Sequence, residues 1–236
     1  MVALYSTALR RLSLKIKETK KLFYNEYLYK LEIRNSLSNY FREKNLSLAR
    51  GMLDSLQSLY DHGDPLEISR GLRKYAVPEE EYFDAKRLYS IFSSTKFDYK
   101  LRVQVYHMSI YSNNLYWLEN IARSLMPARV ISLHKPDNSI LDAMQKNTII
   151  VNEDNGYQYR VTFGNKLGEP EFGKWAMANP KQVKLGPICL ETLLSNGYID
   201  GMYFYARDEK TLQLCNLVTT NIRRIDKLVV KSNIDK

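Results

Sequence analysis

The sequence has few of the residues that mark disulfide-stabilised or metal-bound proteins. Cys189 and Cys215 are its only cysteines, and they lack the spacing of a metal site. A chain of 236 residues can bury enough apolar surface to fold without disulfides or metals, so we expect both cysteines to be packed free thiols. So few cysteines in a chain of this length are typical of a reducing, intracellular compartment.

Long apolar segments and catalytic signatures are also missing. No run approaches the roughly 20 apolar residues of a membrane span, and no secretory signal is present. There is no Gly-x-x-x-x-Gly-Lys loop, no Gly-x-Gly-x-x-Gly turn and no Gly-x-Ser-x-Gly elbow. His62, His107 and His134 have no metal-ligand spacing. We therefore expect no membrane span, no cofactor, no metal and no conventional nucleotide-dependent enzyme.

Positive charge and tyrosine are abundant. Lys and Arg total 35 against 26 Asp and Glu, a formal net charge of +9, and 18 tyrosines exceed eight phenylalanines. An excess of cations favours polyanionic partners such as nucleic acid, although it also serves as solubilising surface charge. The richness in Tyr, Asn, Lys and Ile is typical of AT-rich coding genomes, viral or organellar ones among them.

The opening segment MVALYSTALRRLSLKIKETKK contains four bases and no acid in its first 17 residues. As a helix it places Leu9 and Leu12 on one face and Arg10 and Lys17 on the other. RLSLKIK also alternates as a strand does, but we favour an amphipathic helix. Mitochondrial transit peptides have a similar composition, so the mitochondrial matrix is an alternative to the cytoplasm or a virus-infected cell.

Hydrophobic periodicity predicts both helices and strands in the first half of the chain. Leu48, Met52, Leu56 and Leu59 predict the buried face of a helix, within which Gly51 suggests a close approach by another element. The expected elements are a strand over 26–34, a helix ending at Gly63, a turn-rich linker over 61–78, a helix over 80–92, a strand over 99–111 with a bulge near 106–107, and a helix stopped by Pro127.

The second half is predicted to be rich in strands. The expected elements are a strand over 129–133, a hairpin turning at Asn155-Gly156, a helix near Trp175, a helix over 187–196, a hairpin turning at 208–210, and a terminal helix from Thr219 or Thr220. We expect an α+β fold, with one mixed or mainly antiparallel sheet flanked by helices. It would be a single integrated domain with a helix-rich lobe, 1–127, and a β-rich lobe, 128–236. The recurring segments YLYKLEIR, DYKLRVQV and YQYRVTF indicate either a duplicated α+β unit or generic strand composition, and we favour generic composition.

Basic residues fall opposite the apolar positions of three predicted strands and on both terminal helices. Cations neutralise phosphates and aromatic rings stack on unpaired bases, so faces that carry both are typical of single-strand readers. The aromatic and glycine signature of the RNA-recognition sheet is missing. The candidate nucleic-acid-binding residues are Arg10, Arg11, Lys15, Lys17, Lys30, Arg34, Lys100, Arg102, Arg160, Arg223 and Arg224.

Three function classes follow from these patterns. We expect a non-enzymatic basic accessory protein that contacts RNA or single-stranded DNA, alone or in a larger assembly. The alternative is a structural or inhibitory protein-interaction subunit, such as a viral assembly or host-targeting factor, because Tyr and Arg also serve protein interfaces. A metal-dependent nuclease using Asp200, Asp208 and Glu209 comes third, although these acids also fit a charged turn.

Overall fold

A computed structural model describes residues 14–234, apart from the side chain of Arg70. The described residues form two compact units. The first comprises residues 14–19 and 27–135, and the second comprises residues 20–26 and 136–234. The division expected from the sequence lies near residue 127, whereas the strand Val130–Lys135 pairs with Tyr29–Arg34 and so belongs to the first unit.

The first unit is a five-stranded mixed sheet with helices and a small separate hairpin. Its elements are β1 (Ile16–Glu18), β2 (Tyr29–Arg34), α1 (Leu46–His62), β3 (Glu67–Arg70), β4 (Arg73–Ala76), α2 (Glu79–Ser94), β5 (Tyr99–Gln104), β6 (His107–Ser112), α3 (Leu115–Ser124) and β7 (Val130–Lys135). The strand order is β1-β7-β2-β6-β5. Strand β1 runs parallel to β7, and the other neighbours are antiparallel.

The second unit is also a five-stranded mixed sheet with helices. Its elements are β8 (Thr148–Val151), β9 (Tyr159–Phe163), α4 (Pro170–Ala178), β10 (Val183–Leu185), α5 (Pro187–Leu194), β11 (Tyr203–Ala206), α6 (Glu209–Val218) and β12 (Ile222–Val230). The strand order is β10-β11-β9-β12-β8. Strand β8 runs parallel to β12, and the other neighbours are antiparallel. The α+β class expected from the sequence is confirmed.

Both units have the same topology. The first unit inserts the hairpin β3–β4 between α1 and α2, and the second unit inserts α5 between β10 and β11. Apart from these insertions, helical connections follow the first and third of four strands in each unit, and the strands lie in the sheet in the order fourth, first, third, second. This is the ferredoxin-like, or split βαβ, connectivity. A strand that precedes this motif, β1 or β8, lies parallel to the fourth strand, β7 or β12. The two sheets are therefore structural repeats of one pattern.

The repeat extends to residue register. Strand β7 bulges at Ile131 opposite the Glu32–Ile33 step of β2, and β12 bulges at Arg223 opposite the Thr162–Phe163 step of β9. Segments YLYKLEIR and YQYRVTF supply β2 and β9, which hold the same place in their sheets. Their likeness, ascribed to generic composition in the sequence, thus coincides with a structural repeat. DYKLRVQV supplies β5, which is a different strand of the motif.

One face of the first sheet packs on helices to form a core. The buried strand residues Leu31 and Ile110 belong to one apolar cluster with Leu53 of α1. On α1, however, Leu48 is 50% exposed and Met52 is 38% exposed, so the buried stripe expected from spacing is wrong at these positions. Buried Ala49 and Leu53 in their place show that the buried face is rotated by one residue.

One face of the second sheet packs on helices around three phenylalanines. Phe163 of β9, Phe204 of β11 and Phe172 of α4 are fully buried, and their ring centroids lie 5.0–5.7 Å apart. Cys189 of α5 and Cys215 of α6 join this cluster as free, buried thiols. Burial raises the pKa of Cys189 to about 11 and that of Cys215 to about 12, so both are protonated at neutral pH.

Several expected helices and strands are confirmed, including β2, α2 and α3. Gly63 ends α1 in the left-handed conformation, at φ 73°, where glycine has no side chain to clash. Asn114 caps α3 by accepting a hydrogen bond from the amide of Trp117 at 2.9 Å. The prediction of a helix in the opening segment is wrong for Ile16–Glu18, which form β1. Residues 1–13 lie outside the described residues.

Two expectations in the first unit are wrong because tight turns were misread. The linker expected over 61–78 contains the hairpin β3–β4. The single strand expected over 99–111 is the hairpin β5–β6, which turns at Val105–Tyr106 with Val105 at φ 55°. The apolar residues lie at odd positions before the two-residue turn and at even positions after it. This change is the one that was interpreted as a bulge in the sequence.

Three expectations in the second unit are wrong, two of them because the strand pairing is non-local. Strands β8 and β9 do not form a hairpin, since each pairs with β12 instead. The second hairpin is a strand followed by α6, with Asp208 as the helix cap. The terminal helix is β12, which lies between two strands and therefore lacks the strict alternation of a strand with one wet face.

The surroundings of Gly168 and Gly51 predict opposite effects of a Gly→Ala substitution on stability. A Cβ at Gly168 would lie 2.7 Å from the carbonyl oxygen of Thr192 and 2.9 Å from Leu193 Cα, whereas a Cβ at Gly51 would meet no atom within 4 Å. The close approach expected at Gly51 is therefore absent. We expect Gly168→Ala to lower the free energy of unfolding by about 1–3 kcal/mol and Gly51→Ala to raise it by up to about 1 kcal/mol. Urea unfolding checks both; equal effects would contradict the packing described.

Candidate nucleic-acid interface

Strand register assigns alternate residues of each sheet to the face opposite the helical core, because directly paired residues point to the same side. We call this the polar face. In the first unit, its strand residues are Lys17, Lys30, Glu32, Arg34, Lys100, Arg102, Gln104, His107, Ser109, Tyr111, Ser132 and His134. In the second unit, they include Arg160, Thr162, Lys184, Tyr203, Tyr205, Arg224 and Asp226.

A cross-strand row of similar residues recurs in the two polar faces. Each row crosses the four strands of the ferredoxin-like motif, numbered in chain order. A lysine on the second strand pairs with a tyrosine on the third strand. That tyrosine pairs with a cation on the first strand, and the cation pairs with a titratable residue on the fourth. The first row consists of Lys100, Tyr111, Lys30 and His134, and the second consists of Lys184, Tyr205, Arg160 and Asp226. The repeat of topology is thus also a repeat of surface chemistry.

A carboxylate, Glu32, holds several polar groups of the first face. Its Oε1 accepts from Lys30 Nζ at 2.7 Å, and its Oε2 accepts from Ser132 Oγ at 2.6 Å. His134 Nε2 lies 3.0 Å from Oε2, and Lys17 Nζ lies 3.4 Å from it. Two of the predicted binding cations, Lys17 and Lys30, are therefore paired with an internal anion.

These contacts shift the pKa values of Glu32 and His134. Burial alone would raise the pKa of Glu32, but hydrogen bonds from Lys30, Ser132 and His134 outweigh it and hold that pKa far below its usual value. Burial lowers the pKa of His134, and the charges of Lys30 and Lys17 lower it further against the pull of Glu32. At neutral pH Glu32 is therefore a carboxylate and His134 a neutral imidazole.

Other cations of the first face are exposed. Arg34, Lys100 and Arg102 are all exposed to solvent, and within residues 14–234 neither Arg34 nor Arg102 forms an ion pair. Tyr111, in contrast, is only 5% exposed, and its ring lies 6.5 Å from that of Tyr27. The first face thus offers cations for phosphates but keeps its row tyrosine from stacking on a base.

The second face exposes aromatic rings beside a cation. The guanidinium carbon of Arg160 lies 3.8 Å from the ring centroid of Tyr203, a distance typical of cation–π contacts. Tyr203 is 38% exposed and meets Tyr205 edge to face at 5.5 Å. Lys184, on the edge strand β10, is exposed. Cations and aromatic surface lie together here, which was expected from the sequence for the strand faces.

A positive cluster lies beside the second row. Arg224 Nε and Nη2 each lie 2.6 Å from Asp226 Oδ1, and Arg224 Nη2 also donates to Asn25 Oδ1 at 2.9 Å. Burial lowers the pKa of Lys21, and Arg160 and Arg224 lower it further, with only Asp226 opposing them. Lys21 therefore lies close to two arginines and to one buried carboxylate, which pairs with Arg224. The mutual repulsion of the three cations is of the kind that a bound anion relieves.

The remaining predicted cations are not gathered at one place. Arg10 and Arg11 lie outside the described residues. Lys15 is exposed just before β1, and Arg223 is exposed at the bulge of β12 rather than on a helix. Sequence reasoning missed Lys21, Lys184, Tyr203 and Tyr205. The alternation in VKL around Lys184 and in YFYA around the two tyrosines was the available signal.

The acids proposed for a nuclease have local roles or none. Asp208 Oδ1 accepts from the amide and the hydroxyl of Thr211 at 2.8 Å each, which caps α6. Asp200 and Glu209 are exposed. Within residues 14–234 there is no group of three or more His, Cys, Asp and Glu side chains placed to hold a metal ion.

Comparison of the chain with protein-family models, with curated proteins and with solved structures finds no match. No helix in the described part of the chain combines the length and apolarity needed to cross a bilayer. The polar faces of the two sheets are therefore the features of the molecule that indicate a function.

Replacing Glu32 tests its role in the first face. The pKa of Glu32 is lower in the folded than in the unfolded chain, so its stabilisation is present above the unfolded value, about 4.3, and is lost as pH falls below it. We expect Glu32→Gln to lower the free energy of unfolding at pH 7 by about 1–3 kcal/mol. The difference from the wild-type protein should narrow in urea titrations below about pH 4.

Glu18 is a matched control because it is exposed on the edge strand β1. We expect Glu18→Gln to leave the free energy of unfolding unchanged both at pH 7 and below about pH 4. A Glu32→Gln difference that stays constant from pH 7 to pH 3 would contradict the ion-pair account.

Proposed function

We propose that the protein binds single-stranded nucleic acid, RNA or DNA, through the polar faces of its two sheets, as a non-enzymatic accessory protein. The observation that carries the proposal is the recurrence of a lysine, a tyrosine and a second cation at equivalent positions in both sheets. Known single-strand RNA-binding domains use the open face of a four-stranded sheet, on which aromatic side chains stack on the bases. The proposal extends to both units because both carry the row.

Charge supports contact with phosphates. The first face carries five cationic side chains and one carboxylate, Glu32. On the second, Lys21, Arg160 and Arg224 lie near one carboxylate, Asp226, which pairs with Arg224. Cations without an internal partner can neutralise the phosphates of a nucleic acid. The counterions condensed on those phosphates are then released, which drives binding at low salt. Arg34, Arg102 and Lys184 are the cations best placed to do so, because they are exposed.

The two faces are suited to different parts of the ligand. The first face has exposed cations and a buried row tyrosine, so it favours the sugar–phosphate backbone. The second face adds the exposed ring of Tyr203 beside the half-buried ring of Tyr205. A ring that stacks on a base contributes about 1–3 kcal/mol. Binding to duplex would use only the phosphate contacts, because paired bases cannot stack on these rings. Single strands should therefore bind more tightly than duplexes of the same length.

Charge reversal on the polar faces tests the proposal. We expect Arg34→Glu combined with Arg102→Glu to weaken single-strand binding by about tenfold or more and to reduce the salt slope by about 2, one for each lost phosphate contact. Lys184→Glu should reduce the slope by about 1. Fluorescence anisotropy with a labelled single strand over a salt series measures both quantities.

Cations on the helices provide matched controls. Arg50→Glu combined with Arg123→Glu produces the same change in net charge, and Lys210→Glu matches Lys184→Glu. Arg50 and Arg123 pair with acids one turn away on α1 and α3, and Lys210 is exposed on α6. If these controls weaken binding as much as the polar-face variants do, then net charge alone explains the affinity.

A protein-interaction role is the second candidate, favoured by an apolar groove in the first unit. The exposed Leu48 and Met52 of α1 line a cavity of about 380 Å³, together with Leu56, Leu59 and Ile68. Exposed apolar residues that line a concave surface are typical of protein contact sites.

Mass measurement separates this candidate from nucleic-acid binding. Self-association through the groove predicts a stable oligomer in light scattering after size exclusion at high salt, where phosphate contacts are screened. Met52→Glu should then return the protein to a monomer. A monomer at all salt concentrations would remove the self-association form of this candidate.

A further inference from the structure

A cavity of about 480 Å³ adjoins the polar face of the second unit. It lies where the edge strand β10 and strand β11 meet the start of α5. The residues that matter for its chemistry are Lys184, Leu185, Ile188, Met202, Tyr203 and Tyr205. Its volume falls within the range of small-molecule sites, about 300–1,000 Å³. Lys184 and Tyr205 also belong to the second row, so the cavity is continuous with the proposed binding face.

The lining of the cavity suits a flat, uncharged ring attached to an anion. Leu185, Ile188 and Met202 supply apolar surface, and Tyr203 and Tyr205 supply aromatic surface. Lys184 is the charged residue of the lining, and none of the described residues that line the cavity is acidic. An apolar slot with a cation at its side matches a nucleobase linked to a phosphate better than it matches a peptide, whose backbone needs several hydrogen-bond partners.

Arg160 prepares the aromatic wall of the cavity. Its guanidinium group lies over the ring of Tyr203 at 3.8 Å, and Tyr205 meets that ring edge to face at 5.5 Å. These two contacts fix the orientation of Tyr203 before a ligand arrives, which lowers the entropy cost of binding. The positive charge over one face of the ring leaves its remaining surface to the cavity.

We propose that this cavity accepts one unpaired base of the bound strand, with the base against Tyr203 and the adjoining phosphate at Lys184. The inference rests on the proposed function and deepens it, because it assigns base recognition to the second unit and mainly backbone contact to the first. The first sheet lacks an equivalent wall, since Tyr111 is buried and Ser109, which pairs with Glu32, holds the position that Tyr203 has in the second sheet.

A strand without bases tests the inference directly. Full-length protein is titrated with labelled oligothymidylate of about ten nucleotides, with oligouridylate of the same length, and with an abasic strand of the same length and charge. We expect the abasic strand to bind about 5- to 100-fold more weakly, because it keeps the phosphates but loses base stacking. The salt slopes of the three strands should be equal, because the phosphates are unchanged.

Variants assign the base preference to the cavity. Tyr203→Ala should reduce the preference for the normal strand over the abasic one to less than twofold, whereas Tyr203→Phe should retain it. Ile188→Asp places a carboxylate at the mouth of the cavity, where Ile188 is 73% exposed, and should also reduce the preference. Leu217→Asp is its matched control, because Leu217 is exposed on α6 outside the cavity lining.

The outcomes distinguish this inference from the proposed function. Equal binding of normal and abasic strands with a steep salt slope would overturn the base site and leave phosphate binding intact. A preference that survives both Tyr203→Ala and Ile188→Asp would also overturn it. Failure of every strand to bind the wild-type protein would overturn the proposed function and the base site together. Circular dichroism of each variant confirms that a lost preference is not lost folding.

Discussion

The antiparallel pairing of the first strand of each motif, β2 or β9, with its two neighbours is the constraint on which the other features depend. Because side chains alternate along a strand, the register of these pairs decides every residue that faces the core and every residue that faces away. It buries Leu31 and Ile33 in one unit and Val161 and Phe163 in the other. The same register aligns a lysine, a tyrosine and a cation across the opposite face of both sheets.

Each polar face combines cations with one carboxylate, and this balance links stability to binding. Glu32 ties Lys17 and Lys30 to the first sheet, and Asp226 ties Arg224 to the second. Cations held in this way give the sheet a defined surface but are partly neutralised. The remaining exposed cations keep the attraction for phosphates. The faces differ mainly in their tyrosines, since Tyr111 is buried and Tyr203 is not.

Local patterns in the sequence predicted much of the fold, and non-local pairing explains most of the errors. The alternation of β2 and the end of α1 at Gly63 depend on neighbouring residues, and both were correct. Strand β12 was taken for a helix because it lies between β8 and β9, and a central strand loses the simple alternation that distinguishes the two. The sequence placed Lys30, Lys100 and Arg102 opposite the apolar positions of their own strands. It did not predict that they share one face, because strand order is not encoded locally. The cavity beside Tyr203 could not be foreseen, since it forms between a sheet edge and a helix.

The central claim is that the polar faces bind unpaired strands through phosphates and bases. The most direct measurement is the affinity of the wild-type protein for a single-stranded RNA, a single-stranded DNA and the corresponding duplex DNA over one salt series. The account predicts tighter binding of the single strands at every salt concentration, with a steep decline of affinity as salt rises. Weak binding that is equal for all three and vanishes at physiological salt would contradict it.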